Sequence, residues 1–334
     1  MTSERSPRPN LSDHFDGQRF RNPGENARGF SDFLKWIANR RRGQWRRFTD
    51  SRPGEAPPRR VADLRVTFIN HATVLVQTAN ANILTDPVWS QRVSPVSRVG
   101  PRRRRPPGIR FDDLPQIDLV LLSHNHYDHL DLPTLERLEK RDRPSFLCGL
   151  GVGKLLRDNG LSEIIELDWW DSVPGRPGLA VHAVPVQHFS GRTPFDRNHT
   201  LWTGFVLSGS AGNVYFAGDT GYGPHFRQTA ERFPGIRLAL LPIGAYKPIW
   251  FMGPVHMSPE EALAAHRDLG AATSVGIHYG TFELADDGEM EPTQEIERLL
   301  AAAPDPKPRF WLLDNGEGRD VPPLSAERPQ RNLE

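Results

Sequence analysis

The sequence predicts an α/β (α+β layered) protein, in which sheets are stacked and faced by helices. Short β-rich runs recur from Val61 onward, and helical patterns fall between some of them. The runs come consecutively near both ends of this region, not in strict strand–helix alternation, which argues against a purely parallel sheet. With 334 residues the chain is long enough for a substantial core, although its hydrophobic content is only 37%. The polar N-terminal sixty residues account for part of that low value.

Residues 1–60 read as a basic N-terminal extension. HFDGQRFRNPGENARGF is rich in turn formers, and SRPGEAPPRR reads as a linker. Between them Phe30, Phe33, Leu34 and Ile37 recur at helical spacing, which predicts a short amphipathic helix within residues 30–48. Strands are expected in VTFINHATVLVQ (66–77), ANILTD (81–86), IDLVLLS (117–123), LAVHAVPV (179–186), LWTGFVLS (201–208), NVYFAGD (213–219), LALLPIG (238–244), TSVGIH (273–278) and RFWLLD (309–314). Helices are expected at 132–140, 151–159, 224–233, 258–270 and 293–303. The fourth of these has a clear start: Ser258 as N-cap, Pro259 in the first turn and Glu261 completing a capping box. The main domain then spans 61–320, followed by a tail at 321–334.

The net charge of +1 hides an asymmetry. Residues 1–110 carry 22 Lys/Arg against 9 Asp/Glu, and the remainder carries 20 against 32. A basic front and an acidic body imply either self-complementarity or an anionic partner. The single cysteine, Cys148, excludes a disulfide framework within the chain. The start MTSERSPRPN has no apolar h-region, and no run reaches the length of a membrane span. The expected location is cytoplasmic, with peripheral attachment to the inner face of the membrane as a further option.

The densest chemical signal is LLSHNHYDHLDLP, residues 121–133. His124 and His126 follow a buried strand at a spacing that points both imidazoles one way. Asp128 and His129 come where the chain must turn, and Asp131 and Pro133 open the next helix. Imidazole and carboxylate donors without thiolate suit Zn²⁺ in an open catalytic site, with Fe or Mn as alternatives. Four such residues in a window of six cannot all reach one ion, so two ions are expected. Further ligands stand at other strand ends: His188, Asp219 in GDTG, and His278. The expected set is His124, His126 and His188 on one metal, and Asp128, His129 and His278 on the other. Asp219 bridges them. Such a pair generates hydroxide at neutral pH and stabilises charge on the attacked oxygen, which makes hydrolysis the expected reaction.

SHNHYDHLD resembles the HxHxDH signature of the metallo-β-lactamase superfamily, and His188, Asp219 and His278 match its later ligand positions. That resemblance implies an αββα sandwich with a dinuclear metal site at one edge. A narrower resemblance covers most of the chain. INHATVLV (69–76), LTDPVWSQRVSPVSRVGPRR (84–103), QHFSGRTPFDRNHTLW (187–202), FAGDTGYGP (216–224), LPIGAYKPIWFMGPVHMSPEEA (241–262) and IHYGTF (277–282) look like the N-acylphosphatidylethanolamine-hydrolysing phospholipase D group and its bacterial relatives. It implies a zinc phosphodiesterase that releases phosphatidic acid and an N-acylethanolamine. The ascorbate-phosphate lactonase group shares the HAT and TDP features more loosely.

The resemblance places His256 near the metals, as a phosphate ligand or an acid for the leaving alkoxide; the alternative is a helix-entry histidine bonded to backbone. With Asp128 and Asp219 it makes up the expected catalytic groups. Tyr246 and Lys247 are candidates to contact an anionic substrate or simply to shape a loop. His71 is expected at a strand start near the metals, Asp86 as a carboxylate orienting a ligand histidine or as an ordinary Asp-Pro turn, and His199 as lining. His14, His182, His225 and His266 read as structural or exposed. The Arg102–Arg105 run suits either phosphate groups or a salt-bridged loop. Around residues 30–48, Phe30, Phe33, Trp36 and Trp45 beside Arg40, Arg41, Arg42, Arg46 and Arg47 suit an anionic bilayer surface, but packing on the chain's own domain is preferred.

The expected activity is therefore a dinuclear zinc phosphodiesterase of the phospholipase D type, acting on phospholipids through a metal-bound hydroxide. The alternatives are a metal-dependent lactonase or amidase on a small anionic substrate, and a non-catalytic membrane-binding protein. No nucleic-acid module is recognisable, and a homodimer stays open.

Overall fold

The computed structural model describes residues 12–24, 28–46, 53–96 and 98–324. Arg47, the first residues of the expected linker and most of the 321–334 tail lie outside the described residues. The elements run α1 (Phe30–Ala38), β1 (Arg65–Asn70), β2 (Thr73–Thr78), β3 (Ala81–Thr85), β4 (Leu119–Leu122), α2 (Leu132–Asp142), β5 (Ser145–Gly149), α3 (Val152–Asp158), β6 (Ile164–Leu167), β7 (Ser172–Pro174) and β8 (Leu179–Val184). They continue as β9 (Gly204–Gly209), β10 (Asn213–Phe216), α4 (His225–Arg232), β11 (Ile236–Pro242), α5 (Ile249–Met252), α6 (Pro259–Asp268), β12 (Thr273–Ile277), α7 (Glu291–Ala302), β13 (Phe310–Trp311) and β14 (Gly318–Asp320).

The strands form two seven-stranded sheets, ordered β14-β1-β2-β3-β4-β5-β6 and β13-β12-β11-β10-β9-β8-β7. Side-chain alternation sorts each strand between two cores. In β4, Leu119 and Leu121 join Val66, Phe68, Val181, Phe205 and Phe216 between the sheets. Val120 and Leu122 face the other way and pack under Leu135, Leu138, Val152 and Leu156 of α2 and α3. On the second sheet, Ala239 and Leu241 carry Phe226, Ala262, Leu263 and Ile296 of α4, α6 and α7. The result is the four-layered αββα sandwich that the resemblance implied. The capping box of α6 is present, with Glu261 N–H donating to Ser258 Oγ at 3.3 Å and Ser258 N–H donating to Glu261 Oε2 at 2.8 Å.

Strand direction gathers the site at one edge. β3, β4, β5 and β6 are parallel neighbours, and so are β10, β11, β12 and β13. β8 and β10 are each antiparallel to β9, so they also end at the same edge. Ligands collect beyond the carboxyl ends of such strands. The run expected as one strand at 66–77 is two, β1 and β2, with His71 and Ala72 at the turn between them.

The N-terminal residues lie against this body. The helix expected within 30–48 is confined to α1, and residues 40–46 continue as an irregular arm. Its periodic apolar residues Phe33, Leu34 and Ile37 face solvent, while Trp36 is buried and stacks on Phe251 at 5.1 Å. Tertiary hydrogen bonding overrides the periodicity: the Trp36 indole and Arg40 guanidinium both reach the Asp286 carboxylate, at 3.0 and 2.7 Å. The arginine run at 102–105 pairs within the chain too. Arg104 meets Glu283 at 2.6 Å, Arg105 meets Glu289 at 2.9 Å, and Arg103 is fully buried over Phe282.

Candidate metal centre

The β4 strand delivers Ser123 and His124 at its end, and the following turn delivers His126, Asp128 and His129. The β8–β9 connection adds His188, the β10 end adds Asp219, and the β12 end adds His278. Three residues here, His71, Asp86 and His278, hold positive φ angles of 47°, 32° and 62° without being glycine. Backbone of this kind costs energy, and it gathers where a site dictates geometry.

Two donor groups result. In the first, His124 Nε2 lies 2.7 Å from His126 Nδ1, and His188 Nε2 lies 3.3 Å from the same nitrogen. In the second, His129 Nε2 and His278 Nε2 approach Asp128 Oδ2 at 3.4 and 3.5 Å. Asp219 Oδ2 serves both, at 3.1 Å from His129 and His278 and 3.8 Å from His188. The seven residues named in the sequence thus lie close together in space. One residue joins them with a closer role than expected: His71 Nε2 stands 3.1 Å from Asp128 Oδ2, inside the second donor group.

Hydrogen bonds on the far side of the rings leave bare nitrogens facing inward. The Val255 carbonyl can only accept, so His188 Nδ1 donates to it at 2.9 Å and Nε2 keeps its lone pair. Ser123 Oγ donates its proton to Asp86 Oδ2 at 2.5 Å and therefore accepts from His124 Nδ1 at 2.9 Å. Asp86 Oδ2 also accepts from His129 Nδ1 at 2.6 Å. One buried carboxylate thus orients a histidine in each donor group, the arrangement that fixes tautomer and ring angle around metals. His129 Nε2 and His278 Nε2 lie close to Asp219 yet make no hydrogen bond, although both are buried. Converging lone pairs beside two carboxylates, with unpaired buried nitrogens, fit divalent cations.

Charge distinguishes the groups. Burial holds His124 and His188 well below the ordinary imidazole range, and His126 at about 4. In the second group burial also pulls His278 down, but Asp219 and Asp128 outweigh it and raise this imidazole to about 9. His129 is raised well above its usual value against the same burial, by Asp219, Asp128 and Asp86.

His256 is largely buried, with Nδ1 3.9 Å from Asp219 Oδ2, and that nitrogen has no hydrogen-bond partner. It faces the donors, grouped with His188 and Asp219, rather than bonding to backbone. Burial lowers it to about 4 against the pull of Asp219. Lys247 is committed elsewhere, paired with Glu291 at 2.9 Å, and Tyr246 is buried beneath it. His199 is exposed, with its N–H bonded to the Asp196 carbonyl, and stands apart from the donor groups.

Sequence reasoning passed over Ser123, Val255, Arg192 and Asn22. Arg192 donates to the carbonyls of Asn125 and Leu130 at 2.9 and 3.0 Å and lies over Tyr127, which pins the ligand-rich turn. Asn22, from the N-terminal segment, donates to the His188 carbonyl at 2.8 Å. Ser123 stood next to the motif; the other three act through backbone contacts at long sequence separation, which no local pattern signals.

Residues 81–279 match the beta-lactamase superfamily domain. An uncharacterized protein of Mycobacterium tuberculosis (strain ATCC 25618 / H37Rv) is 45% identical over 245 residues, covering 72% of this chain and 64% of that protein. The chain thus spans somewhat less than two thirds of that relative. N-acyl-phosphatidylethanolamine-hydrolyzing phospholipase D 1 of Caenorhabditis elegans is 36% identical over 266 residues, covering 76% of this chain and 75% of that enzyme. Among solved structures, a metallo hydrolase of Ignicoccus hospitalis is similar in fold, with a TM-score of 0.57 and 24% identity, over 77% of this chain and 98% of its own.

Proposed function

This chain belongs to the beta-lactamase superfamily, and from that membership and the geometry of the site we propose that it is a dinuclear zinc phosphodiesterase acting on lipid-borne substrates. The observation that carries the reading is Asp219 Oδ2, within 3.1–3.8 Å of histidines from both donor groups. A carboxylate so placed would be shared by cations held in the two donor groups. His124, His126 and His188 would hold one, and Asp128, His129 and His278 the other. When bound, such ions supply Lewis acidity that activates water and withdraws charge from a phosphoryl oxygen.

The chain's own residues supply orientation and proton handling. Asp86 keeps His124 and His129 in the tautomers that leave Nε2 free. His256 stands outside both donor sets and borders Asp219, with Nδ1 3.9 Å from Asp219 Oδ2. As a neutral imidazole it donates to a phosphoryl oxygen, and approach of an anionic diester raises its proton affinity, which equips it to protonate the leaving alkoxide.

The lipid part of the reading rests on the rim. Large apolar side chains stand in solvent on connections leaving the metal edge: Phe195 after β8, 83% exposed, Val96 and Val99 after β3, and Ile249 and Trp250 of α5. Phe33, Leu34 and Ile37 of α1 extend this face, because Trp36 docks α1 beside α5. A rim of exposed apolar side chains suits a bilayer surface. No helix among the described residues is long and apolar enough to cross a membrane. The exposed apolar rim makes peripheral attachment to a membrane face part of the proposal. The relative from Caenorhabditis elegans, named for hydrolysis of N-acyl-phosphatidylethanolamine, supports a phospholipid substrate. The test is a panel of a phosphodiester, a lactone and an N-acyl phospholipid presented to the metal-loaded protein. Turnover of the diesters supports the reading, and turnover of the lactone alone overturns it.

A further inference from the structure

Three ligand histidines have their outward ring nitrogen held by protein: His124 by Ser123, His129 by Asp86 and His188 by the Val255 carbonyl. His278 does not. Its Nδ1 is buried with no partner among the described residues. A second buried atom shares that condition, Asp287 Oδ1, while Asp287 Oδ2 accepts from the Ala245 N–H at 3.1 Å. Both residues line one cavity of about 10 Å³, walled also by Trp45, Ala245, Tyr279 and Phe282. That is close to the space one water needs, and a buried water requires polar partners of this kind.

The segment carrying Asp287 is held from outside by the N-terminal arm. Gly43 N–H donates to the Asp286 carbonyl at 2.7 Å, the Trp45 indole to the Asp287 carbonyl at 2.9 Å, and Glu289 N–H to the Gln44 carbonyl at 2.9 Å. The approach requires glycine: a Cβ on Gly43 would stand 2.2 Å from Gly288 N. Trp45 is thus both a clamp on this segment and a wall of the cavity behind His278.

We propose that Asp287 is a positioning residue for His278, acting through one water that bridges Asp287 Oδ1 and His278 Nδ1, and that the arm around Trp45 holds it in place. Asp287 then does for His278 what Asp86 does for His129, and the N-terminal extension becomes part of the metal centre's support. The inference rests on the metal reading of the site but not on the identity of its substrate.

The test is metal affinity, measured by chelator competition on the full chain loaded with zinc. Asp287→Ala should weaken one of two bound equivalents about 10- to 100-fold and leave the other within about 2-fold. Asp287→Asn, which keeps a polar group at the cavity, should recover most of that loss. Trp45→Phe, which removes the clamp without touching the carboxylate, should weaken the same equivalent by a smaller factor. It also covers the case in which Asp287→Ala fails to fold. Wild-type affinity for both equivalents in the Asp287 and Trp45 variants would overturn the proposal, as would equal weakening of both. Wild-type protein that binds no zinc would overturn the metal centre itself. A metal-loaded protein inactive on every diester would sink only the phosphodiesterase reading.

Discussion

Asp86 Oδ2 and His129 Nδ1 lie 2.6 Å apart, both with fully buried side chains, and the same oxygen accepts a hydrogen bond from Ser123 Oγ. One carboxylate therefore sets the orientation of His129 directly and of His124 through Ser123. Asp86→Ala should lower affinity for both metals, by about 10- to 100-fold, because a ligand in each group loses its support. Ser123→Ala should affect the group of His124 alone. Zinc titration against a chelator checks both. Loss confined to one equivalent in the Asp86 variant would contradict the shared role.

Metal binding should release protons. In the metal-free protein, burial acts to lower His278, but Asp219 and Asp128 hold it at about 9, so it carries a proton at pH 7. The sign follows: cation and proton compete for Nε2, so affinity rises as the pH climbs from 7 towards about 9. Calorimetry of zinc binding at pH 7, in buffers of different ionisation enthalpy, should show net proton release. Buffer-independent heats would contradict the charge state assigned to the second donor group.

The basic N-terminal arm and the acidic 283–291 segment hold each other. Glu289 is almost fully buried and accepts from Arg46 at 2.9 and 3.0 Å and from Arg105 at 2.9 Å. Burial alone would raise this carboxyl, but the arginines and the Arg46 N–H bring it below its usual range. Glu289→Ala should lower stability by about 1–3 kcal/mol, since it leaves Arg105 without its partner in a partly buried place. Thermal melts read the loss. Because the folded pKa is depressed, the stabilisation is present above the ordinary glutamate pKa and lost as pH falls through the folded value. An unchanged melting temperature would mean that the arm is not held by this contact.

Much of the candidate site could be picked out because strand ends are legible. His188, Asp219 and His278 each follow an apolar run, as His124 does, and parallel strand ends meet at one edge. Asp86 was ambiguous in the sequence, since an Asp-Pro turn and an orienting carboxylate look alike; only its contacts with Ser123 and His129 separate them. The face of α1 was misleading. Spacing marked Phe33, Leu34 and Ile37 as the apolar face of an amphipathic helix, whereas the residue that docks α1 on the domain is Trp36, through an acceptor 250 residues away, Asp286. The charge asymmetry between front and body was readable as a total but not as pairs, and Arg46, Arg104 and Arg105 now account for part of it inside the chain. Strands β5, β6, β7 and β14 passed unread; β14 is the polar and exposed edge piece Gly318–Asp320, which gives no hydrophobic pattern.

The exposed rim residues should govern vesicle binding more than folding. Replacing Phe195 and Trp250 together by Ser should cut sedimentation with anionic vesicles about tenfold, while the far-ultraviolet circular dichroism stays as in wild type. Equal sedimentation of wild type and variant would remove the rim from the membrane account.

The proposal to be tested is that the chain is a metal-dependent phosphodiesterase on a lipid, with His124, His126, His188, Asp128, His129, Asp219 and His278 as the residues that would hold the metal. The most direct measurement is mass-spectrometric analysis of products after the zinc-loaded protein meets N-acylphosphatidylethanolamine in vesicles, with His126→Ala run alongside. The account predicts release of a phosphatidic acid together with an N-acylethanolamine, lost by at least about a hundredfold in the variant. Intact lipid in both samples, or equal product from the variant, would contradict it.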